Sequence, residues 1–378
     1  MTKVEVVKVT EKRHLDDFVH FMRRHYAGCN QYVPDMEADI RNMFNKRKNS
    51  ATEFALLQPY IAYSQDVPVG RIVGIINSHA NEKWHTKNVR FALIEFIDDL
   101  AVSKALLEAV SAWGHEHGMT HIQGPLGITD FDKEGMLVED FDLEGSMSSI
   151  YNYEYYPHHM EQLGFEKEVD WLQIRIQIPE DIPARYSRVS QYAREQMGLS
   201  VRKLSLKEMK EGYVKKLFDL LNTAYSPIFG FTEMTDQQVA EFADQYLPVL
   251  NLDMVPVVEN QEGEVVGVAV TMPSLADALR KSGGRLWPTG WFHLLGGLKW
   301  KRSDMAEMLL VAVRPDYQGL GVNAMFFDDL IPVYHKYGIH RAETGPQLED
   351  NVRELSQWKP LHPEFVKRRR CYVKNILP

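Results

Sequence analysis

The sequence contains few cysteines and lacks any long apolar stretch. Its 378 residues include only Cys29 and Cys371, near opposite ends of the chain, so a disulfide framework is excluded and a reducing compartment is indicated. No apolar run approaches the roughly twenty residues that a transmembrane helix needs. Charged residues interrupt the N-terminal segment, where a signal peptide would have an apolar core. Together these absences predict a soluble, cytoplasmic protein.

Positive charge is also in deficit. The chain has 43 Lys and Arg residues against 52 Asp and Glu residues, which gives a formal charge of −9 and a pI near 5.9. A general nucleic-acid-binding protein usually carries a basic face, so this class is disfavoured. Hydrophobic residues at 44% and charged residues at 25% are typical of globular proteins. A chain of this length can form two domains of ordinary size.

One stretch combines a predicted strand, a glycine turn and a predicted helix. The apolar run 308–313 predicts a buried strand, and Pro315 ends it because proline cannot donate a ladder hydrogen bond. Gly319 and Gly321 follow in a short turn, and an apolar-rich run up to Tyr337 predicts a helix. Such a unit directs backbone N–H groups and the positive helix end at one point, which suits a phosphate or pyrophosphate. A tight turn without a ligand is the alternative.

The two halves of the chain repeat one order of predicted elements. Strands are predicted in the first half at 4–9, 54–63, 71–77, 91–97, 121–123 and 171–178. Those of the second half are predicted at 254–258, 265–272, 308–313, 341–344 and 365–374. Predicted helices include 103–117, 157–164, 186–197, 206–225, 324–337 and 351–358. The repeat predicts an N-terminal domain at 1–180, a linking helix at 181–200 and a C-terminal domain at 201–378.

The order of residues from Val313 to Asn323 resembles motif A of the GCN5-related N-acetyltransferase (GNAT) superfamily. In that motif, Gln/Arg-x-x-Gly-x-Gly/Ala wraps the pyrophosphate of acyl-coenzyme A, and Gln318 and Gly321 match its first and fourth positions. Asn323 stands at the sixth position, where the family has Gly or Ala. The resemblance implies contacts with the coenzyme from Val311, Val313, Gln318, Gly319, Leu320, Gly321, Val322, Asn323 and Asn351.

The same resemblance implies the fold and the co-substrate. It implies an α/β fold of two tandem GNAT-like domains, each a mixed twisted sheet flanked by helices. The co-substrate would be acetyl-coenzyme A or a longer acyl-coenzyme A, and no metal is expected. In the first copy Asp98 and Asp99 stand in place of the pyrophosphate turn and would repel this anion. The first domain is therefore predicted to be a degenerate copy with a supporting or acceptor-side role.

Acyl transfer to an amine requires a group that removes a proton from the amine. Several GNAT enzymes hold a general base at the start of the motif strand, and the resemblance places Glu307 there. A solvated residue is the alternative for Glu307, and Asp304 and Glu343 are further candidates. Many acetyltransferases have an acidic tyrosine seven residues after the motif B asparagine, which corresponds to Asn351. Trp358 occupies that place, and its indole N–H is not acidic, so a tyrosine acid is excluded there.

The loop from Gly127 to Gly145 is strongly acidic. Its segment Asp130-x-Asp132-x-Glu134-Gly135 resembles the opening of a calcium loop, but Phe141 occupies the place of the bidentate glutamate. We expect a solvated loop, and an electrostatic docking site for a cationic amine is the functional alternative.

The insertion 273–304 combines aromatic with basic residues. They include Trp287, Trp291, Phe292 and Trp300 beside Arg280, Lys281, Arg285, Lys299, Lys301 and Arg302. Aromatic residues interleaved with basic ones can lie at an anionic membrane surface. The alternatives are a cover over a groove for an acyl chain and an amphipathic helical hairpin packed on its own domain.

These observations favour an acyl-coenzyme A-dependent N-acyltransferase with a small-molecule or lipid amine as acceptor and no nucleic-acid partner. A more specific hypothesis is that the enzyme transfers a long acyl chain to a sphingoid-type amine. The segments Gly124-Pro125-Leu126 and Leu348-Glu349-Asp350-Asn351 resemble GNAT-type proteins associated with bacterial ceramide synthesis. Two other hypotheses remain open. The protein could be a non-catalytic acyl-coenzyme A scaffold, or it could catalyse aminoacyl-tRNA-dependent transfer. The acidic charge of the chain disfavours the second.

Overall fold

The computed structural model describes residues 4–299, 303–351 and 355–376. The chain forms two compact units that interleave along the sequence. The first unit comprises Met1–Leu172, Ala278–His293 and Lys367–Pro378, and the second comprises Gln173–Asp277 and Leu294–Val366. Each unit is a mixed sheet flanked by helices, which confirms the predicted fold class. The domain limits inferred from the sequence repeat remain a prediction.

The secondary structure follows the predicted order closely. The strands are β1 (Val4–Lys8), β2 (Ala55–Ser64), β3 (Val67–Asn77), β4 (Asn88–Phe96), β5 (His121–Gly124), β6 (Met136–Leu137), β7 (Glu166–Gln177), β8 (Ser200–Lys203), β9 (Pro256–Glu259), β10 (Val265–Pro273), β11 (Met305–Val313), β12 (Arg341–Thr344), β13 (Gln347–Leu348) and β14 (Glu364–Asn375). The helices are α1 (Lys12–His25), α2 (Glu37–Met43), α3 (Ser78–Lys83), α4 (Leu100–Glu116), α5 (Tyr155–Gln162), α6 (Ala184–Met197), α7 (Leu206–Glu208), α8 (Val214–Tyr225), α9 (Asp236–Tyr246), α10 (Ala276–Ser282), α11 (Gly290–Lys299) and α12 (Val322–Lys336).

The sheet of the first unit has the strand order β1-β2-β3-β4-β5-β14-β7. Gln65 and Asp66 at the tip of the β2–β3 hairpin have positive φ angles of 49° and 61°, as a two-residue hairpin turn that matches the strand twist requires. Helix α4 packs its apolar side, including Leu106, on one face of the sheet. Helix α1 packs Phe18 on the other face against Val73. The unit therefore has an apolar core on both sides of its sheet.

The sheet of the second unit has the strand order β7-β12-β11-β10-β9-β8. Strands β11 and β12 pair in parallel, whereas β10 and β11 are antiparallel. One core combines Ala306 and Ala342 of these strands with Tyr186 of α6 and with Phe326 and Phe327 of α12. Because side chains alternate along a strand, Glu307 and Glu343 point to the face opposite this core.

Several boundaries differ from the sequence prediction. Strand β11 begins at Met305, so Glu307 lies inside the strand and not at its start. Helices α3 and α9 were not predicted, because their short apolar patterns are weak. Their N-termini are fixed by side chains, since Asn77 accepts a hydrogen bond from Ala80 N and Thr235 forms a capping box with Gln238. Residues 352–354 of the predicted helix 351–358 lie outside the described residues.

Candidate functional site

The turn between β11 and α12 exposes the start of a helix. Gly319 and Gly321 adopt positive φ angles of 81° and 97°, which side chains other than glycine rarely tolerate. The side-chain amide of Gln318 donates to the carbonyl oxygen of Val313 at 3.2 Å and closes the turn back onto the strand. A Cβ atom at Gly319 would meet nothing within 4 Å, so the space beside this residue is open.

Helix α12 begins without a side-chain cap. Gly321 is its N-cap residue and makes no capping hydrogen bond, and its first turn carries no acidic residue. The first N–H groups of a helix have no partner within the helix, and the helix dipole adds positive potential there. The turn thus has the properties of an anion cradle, and its residues fit the pyrophosphate that the resemblance implies.

Gly321 is also held by close packing. A Cβ atom there would lie 2.9 Å from Val189 Cγ1 and 3.4 Å from Ala193 Cβ, both on α6. The left-handed backbone and the close approach of α6 therefore both require glycine at this position.

Asn323, the departure from the family pattern, has a local structural role. Its side-chain amide nitrogen donates to Gln357 Oε1, and its side-chain oxygen is buried with no hydrogen-bond partner among the described residues. Its backbone N–H belongs to the first turn of α12. Asn323 can thus contribute a backbone donor to the cradle while its side chain contacts the segment near Trp358.

Strands β11 and β12 separate beside the turn. Their parallel pairing ends at Met308 and Thr344, and a bulge in the β10 pairing lies between Val270 and Thr271. The half-buried residues 309–311 therefore have no strand partner on the β12 side within the described chain. The Tyr225 hydroxyl donates to the Val311 carbonyl at 2.9 Å, so an extended amide-bearing ligand could bind the remaining backbone groups of this edge by hydrogen bonds. Val311 and Val313 lie on this edge and lead into the turn.

Glu307 is buried on the sheet, so its interpretation as a solvated residue was wrong. Its side chain is about 1% exposed and accepts a hydrogen bond from Ser274 Oγ at 2.7 Å. Glu343 is its register neighbour on β12, and Arg175 binds Glu343 with an N–O distance of 2.9 Å. The second unit therefore places two buried carboxylates side by side, and Arg175 pairs with Glu343.

The residues beyond β13 divide into a buried and an exposed part. Trp358 is buried in the core against Phe327, with ring centroids 5.3 Å apart. Its indole nitrogen has no hydrogen-bond partner among the described residues. Asn351 is exposed, and its carbonyl oxygen accepts a hydrogen bond from Leu355 N. The turn 318–323 is thus contiguous with the end of β11, whereas Asn351 belongs to a separate segment.

Sequence reasoning missed a buried polar cluster in the first unit. Glu95 on β4 accepts hydrogen bonds from the hydroxyls of Tyr26 and Tyr156, each at 2.7 Å. The Tyr156 hydroxyl also lies 2.8 Å from His25 Nε2. Arg71, the register neighbour of Glu95 on β3, is fully buried and donates to the Phe18 carbonyl at 3.0 Å. The tyrosine-rich segment 151–156 was the available sequence signal.

Burial shifts the proton affinities in this cluster. Desolvation raises the pKa of Glu95 to about 7, although nearby Arg71 acts in the opposite direction. Desolvation and then the positive charge of Arg71 lower the pKa of His25 to about 4. Glu95 can therefore change its protonation near neutral pH, while His25 stays neutral there. Perturbed groups of this kind are frequent at functional sites but also occur in structural networks.

Most acidic side chains of the loop are exposed, as the prediction of a solvated loop expects, and Asp130 and Glu134 are the exceptions. One carboxylate oxygen of Asp130 and one of Glu134 are buried without a hydrogen-bond partner among the described residues. Desolvation raises the pKa of Asp130 to about 7 and holds that of Glu134 well above its usual range. Asp132 accepts hydrogen bonds from the backbone N–H groups of Ile128 and Thr129. Asp130 and Glu134 are therefore poorly placed to attract a cationic amine, whereas the exposed acidic side chains of the loop remain accessible to one.

The described residues contain neither a cluster of metal ligands nor a helix that could span a membrane. No group of three or more His, Cys, Asp or Glu side chains in this part of the chain is arranged to hold a metal ion. No helix within it has the length and apolar character needed to cross a membrane.

Comparison with known proteins establishes the fold. No protein-family model matches the chain. A tandem GNAT protein from the clavulanic acid biosynthesis pathway superposes with a TM-score of 0.58 at 11% identity, over 100% of this chain and 99% of that protein. The likeness shows that the chain has the tandem GNAT fold.

Two curated proteins are similar in sequence. Protein YghO of Escherichia coli is 26% identical over 372 residues, which cover 97% of this chain and 94% of the relative. Bacterial ceramide synthase of Caulobacter vibrioides is 26% identical over 316 residues, which cover 83% of this chain and 82% of the relative.

Proposed function

We propose that this protein is an acyl-coenzyme A-dependent N-acyltransferase that transfers a long acyl chain to a lipid-like, sphingoid-type amine. The observation that carries the proposal is the uncapped helix start at Gly321 on a tandem GNAT fold. The similarity to a bacterial ceramide synthase supports the lipid amine as acceptor.

The coenzyme is assigned to the second unit. The backbone N–H groups of the turn 318–323 bind its pyrophosphate, and the free edge at 309–311 binds its amide-bearing arm. The corresponding helix of the first unit, α4, cannot do the same, because the carboxylate of Asp99 caps it and accepts from Ala101 N at 2.9 Å. An anion at that helix start would meet a negative charge and an occupied donor. We therefore assign the first unit a supporting or acceptor-side role.

Glu307 is the proposed general base. It accepts a proton from the amine directly or through a water molecule. The unprotonated amine attacks the thioester carbonyl, a C–N bond forms, and the C–S bond breaks when the tetrahedral intermediate collapses. Trp358 is buried and not acidic, so the departing thiolate takes its proton from solvent. A cytoplasmic location is consistent with the acyl donor and with two cysteines that are unpaired in the structure.

Acyl transfer can be tested with a panel of donors and acceptors. The purified protein is incubated with acetyl- or palmitoyl-coenzyme A and with a sphingoid base or a short-chain primary amine, and the amide product is quantified by mass spectrometry. We expect palmitoyl transfer to the sphingoid base to be the fastest reaction. Acetyl transfer to the short amine as the main reaction would overturn the lipid assignment. Binding of the donor without any product would favour a scaffold.

A further inference from the structure

The segment 278–303 differs in charge from the rest of the chain. It contains no Asp or Glu, although the whole chain has a formal charge of −9. Its basic residues are Arg280, Lys281, Arg285, Lys299, Lys301 and Arg302. The local positive charge of this segment attracts anionic surfaces, whereas the net negative charge of the whole chain repels them. This local reversal therefore requires a separate explanation.

The same segment exposes large apolar side chains. Trp287 is 77% exposed, and Leu286, Trp291 and Phe292 are 44%, 47% and 56% exposed. We call these four residues the aromatic patch. The following leucines of α11, Leu294, Leu295 and Leu298, are only partly buried. An apolar helix in a globular domain normally buries one full side. The exposure of these apolar side chains therefore indicates a surface that binds another molecule or a membrane.

Backbone contacts hold the aromatic patch in place. Trp291 N donates to the Leu286 carbonyl at 2.8 Å, and the indole N–H of Trp291 donates to the Pro288 carbonyl at 3.1 Å. A Cβ atom at Gly290 would collide with the carbonyl oxygen of Arg285, so the turn is tightly closed. The Gly284 carbonyl accepts from Glu37 N at 2.8 Å and joins the segment to the body of the first unit. The rings are thus displayed by an ordered turn.

We propose that the aromatic patch docks this protein on a bilayer that contains anionic lipid. Trp and Phe rings partition into the interface between lipid headgroups and acyl chains, and the exposed Lys281 and Arg285 beside them bind anionic headgroups. The exposed indole and phenyl rings beside basic side chains combine the two features that an anionic lipid surface binds, and the self-association measurement below tests a second copy as the occupant. The inference rests on exposure and charge and not on the proposed function. If that function holds, docking would bring the protein to the membrane that dissolves its lipid substrates.

Vesicle flotation tests this proposal. The full chain is mixed with phosphatidylcholine vesicles or with vesicles in which about a third of the lipid is phosphatidylglycerol. We expect binding to the anionic vesicles, weaker binding at high salt, and a blue shift of tryptophan emission. The triple variant W287A/W291A/F292A should lower the partition coefficient at least tenfold. The variant K281E/R285E should lower it by on the order of fivefold per residue.

A matched control replaces an exposed aromatic residue elsewhere. Tyr192 on α6 is 61% exposed and lies outside the segment, so Tyr192→Ala should leave vesicle binding unchanged. Circular dichroism checks that all variants are folded. Vesicle binding that persists in the triple variant, or no binding by the unmodified protein, would overturn the proposal. Self-association that decreases on dilution and is abolished in the triple variant would also overturn the proposal. Acyl transfer in detergent micelles would still report the proposed function separately.

Discussion

At the scale of single residues, the two buried carboxylates of the second unit have different environments. Glu343 is bound by Arg175, with Arg175 Nη2 2.9 Å from its Oε2, and by the side-chain amide of Gln173 at 3.2 Å. Glu307 accepts a hydrogen bond from the hydroxyl of Ser274. A carboxylate paired with a cation is a poor proton acceptor, because the cation stabilises its charged form. The pairing with Arg175 therefore disfavours Glu343 as the base, and Glu307 is proposed on the strength of its place in the motif strand.

Replacement of Glu307 separates catalysis from binding. Glu307→Gln should lower kcat by on the order of a hundredfold to a thousandfold, because general-base catalysis contributes that much. Binding of acyl-coenzyme A, measured by calorimetry, should be unchanged. Glu343→Gln is the control, and it should lower the melting temperature because Arg175 loses its partner. Equal activity of Glu307→Gln and the unmodified protein would remove Glu307 from the mechanism.

The cluster around Glu95 predicts opposing dependences of stability on pH. A folded-state pKa of about 7 for Glu95, against an ordinary 4.5, means that its stabilising contribution is complete below pH 4.5 and is lost as pH rises to 7. The corresponding free energy is about 3 kcal/mol. His25, with a pKa lowered to about 4, contributes above pH 6.5 and loses its contribution as pH falls to 4. In the unmodified protein the two effects largely cancel.

Removing His25 should reveal the contribution of Glu95. The free energy of unfolding of His25→Gln, relative to the unmodified protein, should rise as pH falls from 6.5 to 4. Glu95→Gln should show the opposite trend, with stability relative to the unmodified protein falling as pH drops from 7 to 4.5. Urea unfolding at a series of pH values measures both slopes. Parallel curves for all three proteins would contradict the assigned pKa shifts.

At the scale of elements, the two helices that follow the central strands begin differently. Helix α4 starts with the capping carboxylate of Asp99, and α12 starts with the bare backbone of Gly321. The sequence predicted this contrast, because two aspartates occupy the position of the glycine turn in the first half. It did not predict that Gly321 also packs against α6, since contacts between distant segments leave no local pattern.

Gly321→Ala should therefore be more damaging than Gly319→Ala. Both replacements place a side chain at a positive φ, which costs about 1 kcal/mol. Only the first also forces a Cβ atom against Val189. We expect a loss of acyl-coenzyme A affinity of tenfold or more for Gly321→Ala, together with a lower melting temperature. Gly319→Ala should bind within a few-fold of the unmodified protein. A reversed order of the two affinities would contradict the packing argument.

Other elements show where local patterns are insufficient. The solvated alternative for Glu307 is wrong because sequence does not mark where pairing begins, and β11 extends to Met305 through its pairing with β10 and β12. The acidic loop is expected in solvent because burial of carboxylates is unfavourable on average, and most of its acidic side chains are exposed. One carboxylate oxygen each of Asp130 and Glu134 is buried, and this burial depends on tertiary packing that cannot be located from sequence.

At the scale of the whole molecule, the last strand of the chain belongs to the first unit. Strand β14 pairs with β5, with Tyr372 opposite Gly124 and Asn375 opposite His121. Cys371 and Tyr372 on this strand are buried. The repeat in the sequence predicts two α/β units, and its limits assign the final strand at 365–374 to the C-terminal domain. A strand carries the same alternating pattern whichever neighbour it pairs with.

Deletion of residues 367–378 should unfold the first unit. The deletion leaves β5 without its β14 neighbour and exposes the apolar surface that Tyr372 covers. Because domains are only marginally stable, the lost stabilisation is enough to unfold the unit. Limited proteolysis should then cleave within residues 4–172, whereas we expect the same residues to resist cleavage in the full chain. Deletion of Leu377 and Pro378 alone keeps β14 whole and should have no such effect. Equal protease resistance of both truncations would show that β14 is dispensable.

Calorimetric titration with palmitoyl-coenzyme A tests the assignment of the coenzyme to the turn after β11 most directly. The unmodified protein should bind it, and Gly321→Asp should not, because the added carboxylate places a negative charge where the pyrophosphate lies. Gly263→Asp is the matched control, since Gly263 in the β9–β10 turn also has a positive φ and open space around its Cβ position. It should bind normally. Equal binding by Gly321→Asp and Gly263→Asp, or no binding by the unmodified protein, would contradict the assignment.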